Sequence, residues 1–262
     1  MTMANNGKVN VYSLKGEIIK TIDLPQIFAT EFRPDLIRRA VSAMEANKRQ
    51  PYGASPEAGM RHAVSTWGKG RGVARVQRLS QGARGAQSPG TVGGRRAHPP
   101  YAERDWSKKI NKREKLLAKL SALAALADPD RVKKRGHQFA DGVTLPVVVE
   151  DDIEKISKTG EVFEVLESIG VGGDIKRAME GINIRAGRGK MRNRKYRVPR
   201  SLLIVVSNKD VPLARSAENL PGVEISDVNN LNVAVLAPGG DPGRLTLFSE
   251  SAIIKLGEWS SG

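Results

Sequence analysis

The sequence contains no cysteine. Disulfide bonds and thiolate zinc sites are therefore excluded, and the absence suits a chain kept in a reducing compartment. It also lacks any long hydrophobic run, because its longest apolar stretches, such as residues 202–206, have the length of a strand and are too short to cross a bilayer. The start of the chain, residues 1–7, is polar and does not resemble a secretion signal. We expect a cytoplasmic protein without a membrane segment.

Two segments of the chain contain no acidic residue. Residues 58–102 carry eight Lys and Arg, and residues 185–200 carry eight more. Outside these segments 27 basic residues are balanced by 28 acidic ones, although the whole chain has a net charge of +15. A near-neutral globular part that bears two strongly basic segments indicates a polyanionic partner.

The order of the predicted elements indicates an α/β fold. Residues 8–12 and 17–24 predict a hairpin around the Lys15-Gly16 turn. Further strands are predicted at residues 145–150, 201–207, 223–227 and 233–237. Helices are predicted at residues 33–47, 161–169, 175–179, 213–219 and 250–256, and after residue 107. Strands that alternate with helices favour a mostly parallel sheet covered by helices, a three-layer, Rossmann-like body within a single domain at residues 1–262.

Periodicity disappears between residues 48 and 106, where Gly, Pro, Ser and Arg dominate. It returns after Ser107 as a helix that should end at Pro129. The apolar stripe of that helix is formed by Leu116, Leu117, Leu120, Leu123, Ala124 and Ala127. An insertion of this length is usually functional or disordered. Its positive charges repel one another in water, so we expect it to become ordered only on an anionic partner. If the two bracketing helices pack antiparallel, residues 48–106 form an extended arm.

The basic segments have the chemistry of an RNA-binding protein. Arginine donates paired hydrogen bonds to phosphate and stacks on exposed bases, and aromatic rings add stacking faces. Both segments are internal, whereas a solvated tail normally lies at a terminus. The sequence shows no recognition-helix pattern, so RNA is favoured over DNA. The candidate RNA-binding residues of the arm are Arg61, Trp67, Lys69, Arg71, Arg75, Arg78, Arg84, Arg95, Arg96, His98 and Tyr101. Those of the second segment, residues 184–200, are Arg185, Arg188, Lys190, Arg192, Arg194, Lys195, Tyr196 and Arg197.

Nucleotide-binding motifs are incomplete. Residues 68–72 (GKGRG) are followed by Val73 where a dinucleotide-binding loop needs glycine, and no strand precedes them. Residues 187–190 (GRGK) have Ile184 and Met191 where a P-loop needs glycine and Ser or Thr. The three histidines are scattered along the sequence. We therefore predict no catalytic residue, no metal site and no cofactor.

One group of acids keeps an enzyme hypothesis open. Glu150, Asp151, Asp152 and Glu154 follow a predicted strand, where α/β enzymes often place metal ligands. The same acids would suit a solvated loop that leads into a helix. The alternatives to an RNA-binding structural protein are thus an RNA-processing enzyme that uses these acids to bind metal, and a DNA-compacting protein.

Several stretches resemble the large-subunit ribosomal protein L-four family in its archaeal form. They are residues 33–41 (RPDLIRRAV), 67–76 (WGKGRGVARV), 93–100 (GGRRAHPP) and 109–114 (KINKRE). Residues 184–192 (IRAGRGKMR) are similar to a stretch found in archaeal and eukaryotic members. The sequence ends at Gly262 without the long basic extension of eukaryotic members, so we expect an archaeal protein.

The resemblance implies a non-enzymatic constituent of the large ribosomal subunit. In this family the arm threads into the 23S-type ribosomal RNA and supports assembly. Its tip lines the peptide exit tunnel opposite the L-twenty-two family protein, where the nascent polypeptide passes. By position, the tunnel-lining candidates are Arg71, Val73 and Arg75.

Overall fold

The computed structural model describes residues 7–259, so the polar start discussed above lies outside the described residues except for Gly7. The chain divides into two compact units. One consists of residues 1–44 and 109–262 and is called the body here. The other, residues 45–108, is called the inserted unit, and its limits lie close to those of the predicted arm.

Ten strands and eight α-helices are present among residues 7–259. The strands are β1 Lys8–Tyr12, β2 Ile18–Asp23, β3 Val64–Ser65, β4 Arg78–Leu79, β5 Val147–Val149, β6 Asn183–Ile184, β7 Tyr196–Arg197, β8 Leu203–Val206, β9 Glu224–Asp227 and β10 Thr246–Ser249. The helices are α1 Pro34–Lys48, α2 Lys112–Ala124, α3 Pro129–Arg135, α4 Thr159–Ile169, α5 Gly172–Glu180, α6 Pro212–Glu218, α7 Val233–Leu236 and α8 Glu250–Glu258.

The body is built on a six-stranded sheet in the order β2-β1-β5-β10-β8-β9. Strands β1 and β2 form the predicted antiparallel hairpin, and every other neighbouring pair is parallel. The prediction of an α/β protein with a mostly parallel sheet is confirmed. No helix in the described part of the chain is long and apolar enough to cross a membrane.

Both faces of the sheet are buried, because successive strand side chains point to opposite sides. Val147 and Val149 of β5 belong to a cluster with α3, α4, α5 and α6, and so does Leu247 of β10. Val148 and Phe248, the alternate residues of the same strands, belong to a cluster with α1, α2, α7 and α8. This double burial explains why the central strands are continuous apolar runs.

The end of the body differs from its sequence prediction. Residues 233–237, predicted as a strand, contain the short helix α7, because the side chain of Asn232 accepts a hydrogen bond from the backbone N–H of Val235 (3.1 Å) and caps the first turn. The missing strand is β10, which was not predicted. Its four residues are all buried, as those of β8 are, but two of them, Thr246 and Ser249, are polar, so no continuous apolar run marks the strand.

The helices after the inserted unit also differ in detail. Pro129 does not end a helix but begins α3, where the side chain of Asp128 accepts from the backbone N–H of Asp130 (3.1 Å). The predicted stripe of α2 is partly wrong, because Leu116 and Leu117 are about half exposed (55% and 48%). The buried face of α2 is formed by Ala118, Ser121, Ala122 and Leu123.

Helices α1 and α2 run antiparallel. At the start of α1, the backbone N–H of Arg33 donates to Ser121 Oγ (2.6 Å) near the end of α2. Further along α1, Arg39 pairs with Glu114 (3.3 Å) near the start of α2. The helices before and after the inserted sequence therefore lie side by side in the body.

Candidate RNA interface

The centre of the inserted unit is a short hairpin. Strands β3 and β4 pair Val64 with Leu79 and Ser65 with Arg78, and residues 66–77 form the connecting loop. Three glycines of this loop adopt positive φ values, in which other residues are strained: Gly68 (76°), Gly70 (83°) and Gly72 (62°). No atom lies within 4 Å of the position a Cβ would take at any of them. These glycines are needed to turn the backbone and not to fit a close neighbour.

Trp67 and Arg78 hold this loop together. The guanidinium groups of Arg71 and Arg78 lie 5.5 Å and 5.3 Å from the centre of the Trp67 ring. Arg78 also donates to the carbonyl oxygens of Ala74 (3.2 Å) and Ala83. Three of the candidate RNA-binding residues, Trp67, Arg71 and Arg78, thus already have contacts within the loop, and sequence analysis missed this role for them.

The other basic side chains of the inserted unit are more available. Lys69, Arg75, Arg84 and Arg96 make no side-chain hydrogen bond or ion pair with any described residue. Arg61 pairs with Glu57 at the surface, and Arg95 donates weakly to the carbonyl oxygen of Arg96. The exposed candidates include His98, Tyr101 and Val73, the last two with 52% and 43% of their surface accessible.

The ends of the inserted unit are clamped by side-chain amide hydrogen bonds. Asn47 Oδ1 accepts from the backbone N–H of Lys108 (2.8 Å), and Asn47 Nδ2 donates to the Lys108 carbonyl oxygen (3.3 Å). Beside this clamp, Arg49 and Arg104 lie over the Trp106 ring at 4.3 Å and 5.8 Å. Arg104 lies two residues before Trp106 in the sequence, whereas Arg49 reaches the ring only through the fold, and neither arginine was among the candidates.

The second basic segment folds as another hairpin, on the body. Strand β6 pairs with β7, and Arg185 N donates to the Lys195 carbonyl oxygen (2.9 Å), so that residues 185–195 form the loop. All eight candidates of this segment are exposed: Arg185, Arg188, Lys190, Arg192, Arg194, Lys195, Tyr196 and Arg197. None of their basic groups pairs with an acid among the described residues. The hairpin presents a dense, unneutralised positive surface.

The carboxylate cluster after β5 is used to hold the body together. Glu154 accepts hydrogen bonds from Ser207 N (2.9 Å) at the end of β8 and from Ser249 Oγ (2.7 Å) at the end of β10. Glu150 accepts from Leu14 N (2.8 Å) after β1. These two acids join the carboxyl ends of three strands, which leaves them poorly placed to share a metal ion.

The remaining two acids of the cluster are also occupied. Asp151 accepts from the backbone N–H of Ser251 (2.8 Å), and Asp152 pairs with Lys155 (2.6 Å). Among residues 7–259 no group of three or more His, Asp and Glu could hold a metal ion. The geometry therefore gives no support to the metal-dependent enzyme hypothesis.

His137 is buried and has a structural partner. Its Nδ1 lies 3.0 Å from Asp174 Oδ2, and Arg177 Nε donates to Asp174 Oδ1 (2.9 Å). Burial by itself would raise the pKa of Asp174, but hydrogen bonds from His137, Arg177 and Gln138 N together hold that pKa below its ordinary value. Asp174 is thus a buried carboxylate that links α5 to the residues after α3.

Comparison with family models gives the class of the protein. The model of the ribosomal protein L4/L1 family matches residues 22–259, and the chain belongs to this family. Curated relatives have the name large ribosomal subunit protein uL4. That of Archaeoglobus fulgidus is 49% identical over 252 residues, which cover 96% of this chain and 99% of the relative. That of Thermoplasma acidophilum is 48% identical over 253 residues, which cover 97% and 98%.

Proposed function

We propose that this protein is a structural constituent of the large ribosomal subunit that binds the 23S-type ribosomal RNA and has no catalytic role. The main observation behind the proposal is that cations of the two basic segments and cations of the rest of the body differ in whether they pair with acids. Those at residues 69–96 and 185–197 mostly lack acidic partners, whereas many cations of the body have them. Membership of the ribosomal family and the names of the archaeal relatives agree with this reading.

The inserted unit is the part that we propose to enter the RNA as an extended arm. Its described residues bury one hydrophobic side chain, Ala86, so it gains little from packing on itself. Phosphate groups would neutralise its unpaired cations and release counterions, and this supplies most of the affinity. Held in this way, the arm would keep neighbouring regions of RNA together during assembly.

The loop at residues 66–77 is the proposed tip of the arm. Arg71, Val73 and Arg75 are exposed on it, within or just after the run of glycines that turns the backbone. We propose that these three side chains line the exit tunnel, near the nascent polypeptide and the L-twenty-two family protein. The sheet with helices packed on both faces supports a Rossmann-like description of the body, which would stay outside the RNA.

A salt titration tests the RNA-binding proposal. The probe is an archaeal 23S-type RNA transcript, and the affinity of the full chain is measured over a range of salt concentrations. The test variant replaces the unpaired cations Lys69, Arg71, Arg75 and Arg84 by glutamine. The control replaces Lys8, Lys15, Lys209 and Arg215, which are exposed on the body and lose the same charge.

The two variants should separate clearly. Each phosphate contact that is lost should make the log–log salt dependence less steep by roughly 0.7 to 0.9. We expect this change in the test variant and almost none in the control. Equal slopes for the two variants, or equal wild-type affinity for duplex DNA and the transcript, would contradict RNA recognition through the inserted unit.

A further inference from the structure

A cationic cleft lies on the body beside the buried network of His137 and Arg177 and next to the end of the second hairpin. It has a volume of about 750 Å³ and lies between the start of α1, the last turn of α3 and residues 197–200 after β7. Seven of its lining residues are Lys or Arg, and one, Asp241, is acidic. The lining comes from five separate parts of the sequence, so no local motif announces it.

Four of these cations already have a carboxylate partner. The pairs are Arg38 with Asp241, Arg131 with Asp128, Arg177 with Asp174, and Arg200 with Glu224. The other three, Lys134, Arg135 and Arg197, have no acidic partner among the described residues. The cleft therefore retains positive charge that the body itself does not neutralise.

Arg135 is the least satisfied cation of the cleft. Its Nη2 donates to the Pro238 carbonyl oxygen (2.9 Å), but its Nη1 is buried and has no hydrogen-bond partner in the described part of the chain. Burial lowers the pKa of Arg135, because the attraction of Asp241 offsets the lost water only in part and the charge of Arg244 opposes it. A guanidinium charge that has lost part of its water is costly without a nearby anion, and a phosphate in the cleft would offset part of that cost.

We propose that this cleft binds a phosphate of the RNA backbone, with Lys134, Arg135 and Arg197 as the contacting cations. The proposal rests on the RNA-binding function proposed above and adds a third contact to the two basic segments. Arg197 belongs both to the exposed hairpin and to the cleft, so one RNA strand can pass from the hairpin loop into the cleft. This continuity favours RNA over an acidic peptide, because RNA is already the proposed ligand of the hairpin that leads into the cleft.

A charge-matched pair of variants tests the cleft. The test variant is Lys134→Gln/Arg135→Gln/Arg197→Gln in the full chain, and the control is Lys15→Gln/Lys209→Gln/Arg215→Gln. We expect the test variant to bind the 23S-type transcript about tenfold or more weakly, with a salt slope less steep by roughly 2 to 3, and the control to bind nearly as the wild type does. Because Arg135 also contacts Pro238, the double variant Lys134→Gln/Arg197→Gln should show the same trend with unchanged thermal unfolding.

The outcomes separate this proposal from the general one. If the wild type fails to bind the transcript, the proposed function is wrong. If the wild type binds and the cleft variants behave as the control does, the function stands and the cleft proposal is overturned. Poly-glutamate serves as the probe for an acidic peptide, and if the cleft variants lose affinity for it but keep their RNA affinity, the cleft is a protein-binding site.

Cross-linking tests whether the contact is direct. The chain has no cysteine, so Lys134→Cys creates a single attachment point for a photoreactive maleimide. Arg192→Cys, in the loop of the second hairpin, is the positive control. A cross-link to RNA from both positions supports the proposal, whereas a cross-link from position 192 without one from position 134 contradicts it.

Discussion

The inserted unit and the body use their side chains in different ways. Among the described residues of 45–108, Ala86 is the one buried hydrophobic side chain, whereas the body buries two clusters on the two faces of its sheet. The inserted unit carries 12 Lys and Arg against four Asp and Glu. Its order comes from glycine turns, backbone hydrogen bonds and arginines stacked on Trp67 and Trp106. Hydrophobic burial stabilises the body, while many cations of the inserted unit have no acidic partner within the protein and are available to bind RNA.

Buried charge in the body, unlike the exposed charge of the inserted unit, is paired within the protein. The guanidinium of Arg244 is completely buried and donates to Ser201 O (3.0 Å), Val235 O (2.9 Å) and the carboxylate of Glu224. Every nitrogen of the Arg244 guanidinium donates to an acceptor, as burial of a charge in a folded core requires. Substitutions of buried charged groups in the body should therefore affect stability, whereas substitutions of unpaired cations in the inserted unit should affect RNA affinity.

The largest effect should come from removing most of the inserted unit. Replacing residues 58–102 by a short Gly-Ser linker removes eight cations but leaves Asn47, Lys108 and the hydrophobic clusters of the body in place. We expect affinity for the 23S-type transcript at low salt to fall about a thousandfold or more, with the melting temperature of the body changed by only a few degrees. Unfolding of the body on deletion would show that the two regions are not separable in this way.

A substitution in the body should reverse this pattern. Asp174→Asn removes a completely buried carboxylate from between His137 and Arg177, and we expect it to lower the free energy of unfolding by about 3 kcal/mol or more. Asp152→Asn, which breaks an exposed pair with Lys155, is the control and should cost less than about 1 kcal/mol. Denaturant unfolding measures both, and similar costs would contradict a structural role for the buried network.

The same carboxylate should make the body sensitive to acid. The pKa of Asp174 is lower in the folded state than in the unfolded state, so its contribution to stability is present above the unfolded value of about 3.9 and disappears as the pH falls through the folded pKa. Between about pH 5 and pH 2 the stability of the wild type should therefore decrease more steeply than that of Asp174→Asn. Parallel curves for the two proteins would contradict this assignment.

The smallest effect should come from the clamp at the ends of the inserted unit. Asn47→Ala removes two hydrogen bonds to Lys108 at the surface, each worth about 1 kcal/mol or less. We expect faster amide exchange at Lys108 and a severalfold loss of RNA affinity, because the unit must be ordered at the moment of binding. The control is Asn219→Ala at the exposed end of α6, and an equal effect of the two substitutions on RNA affinity would exclude a role for the clamp.

The sequence predicts those parts of the fold that have a pattern of their own. Helix α1 and the first hairpin show clear periodicity and β8 is a continuous apolar run, whereas β10 has polar residues at both ends and shows neither signal. The β-branched residues Val233 and Val235 suggested a strand, but the cap at Asn232 makes a helix. Local propensity is a weak guide when a single hydrogen bond decides between two short elements.

The candidate site likewise has features that the local sequence predicts and features that depend on the fold. The two basic segments are evident from composition, since their charge is concentrated along the chain. The structural contacts of Arg78 depend on where the loop places Ala74 and Ala83, which no spacing rule predicts. The cleft is hidden for a related reason, because Lys134, Arg135 and Arg197 become neighbours only through the fold.

The central claim is that the chain is an integral part of the large ribosomal subunit, held there by its unpaired cations. The most direct test is a sucrose gradient of lysate from cells that carry a tagged copy, run after a high-salt wash. Stoichiometric sedimentation of the tagged protein with the large subunit is the predicted result. Release of the protein to the top of the gradient would contradict the account, because a protein whose inserted unit is embedded in RNA should resist the wash, whereas a peripheral factor should not.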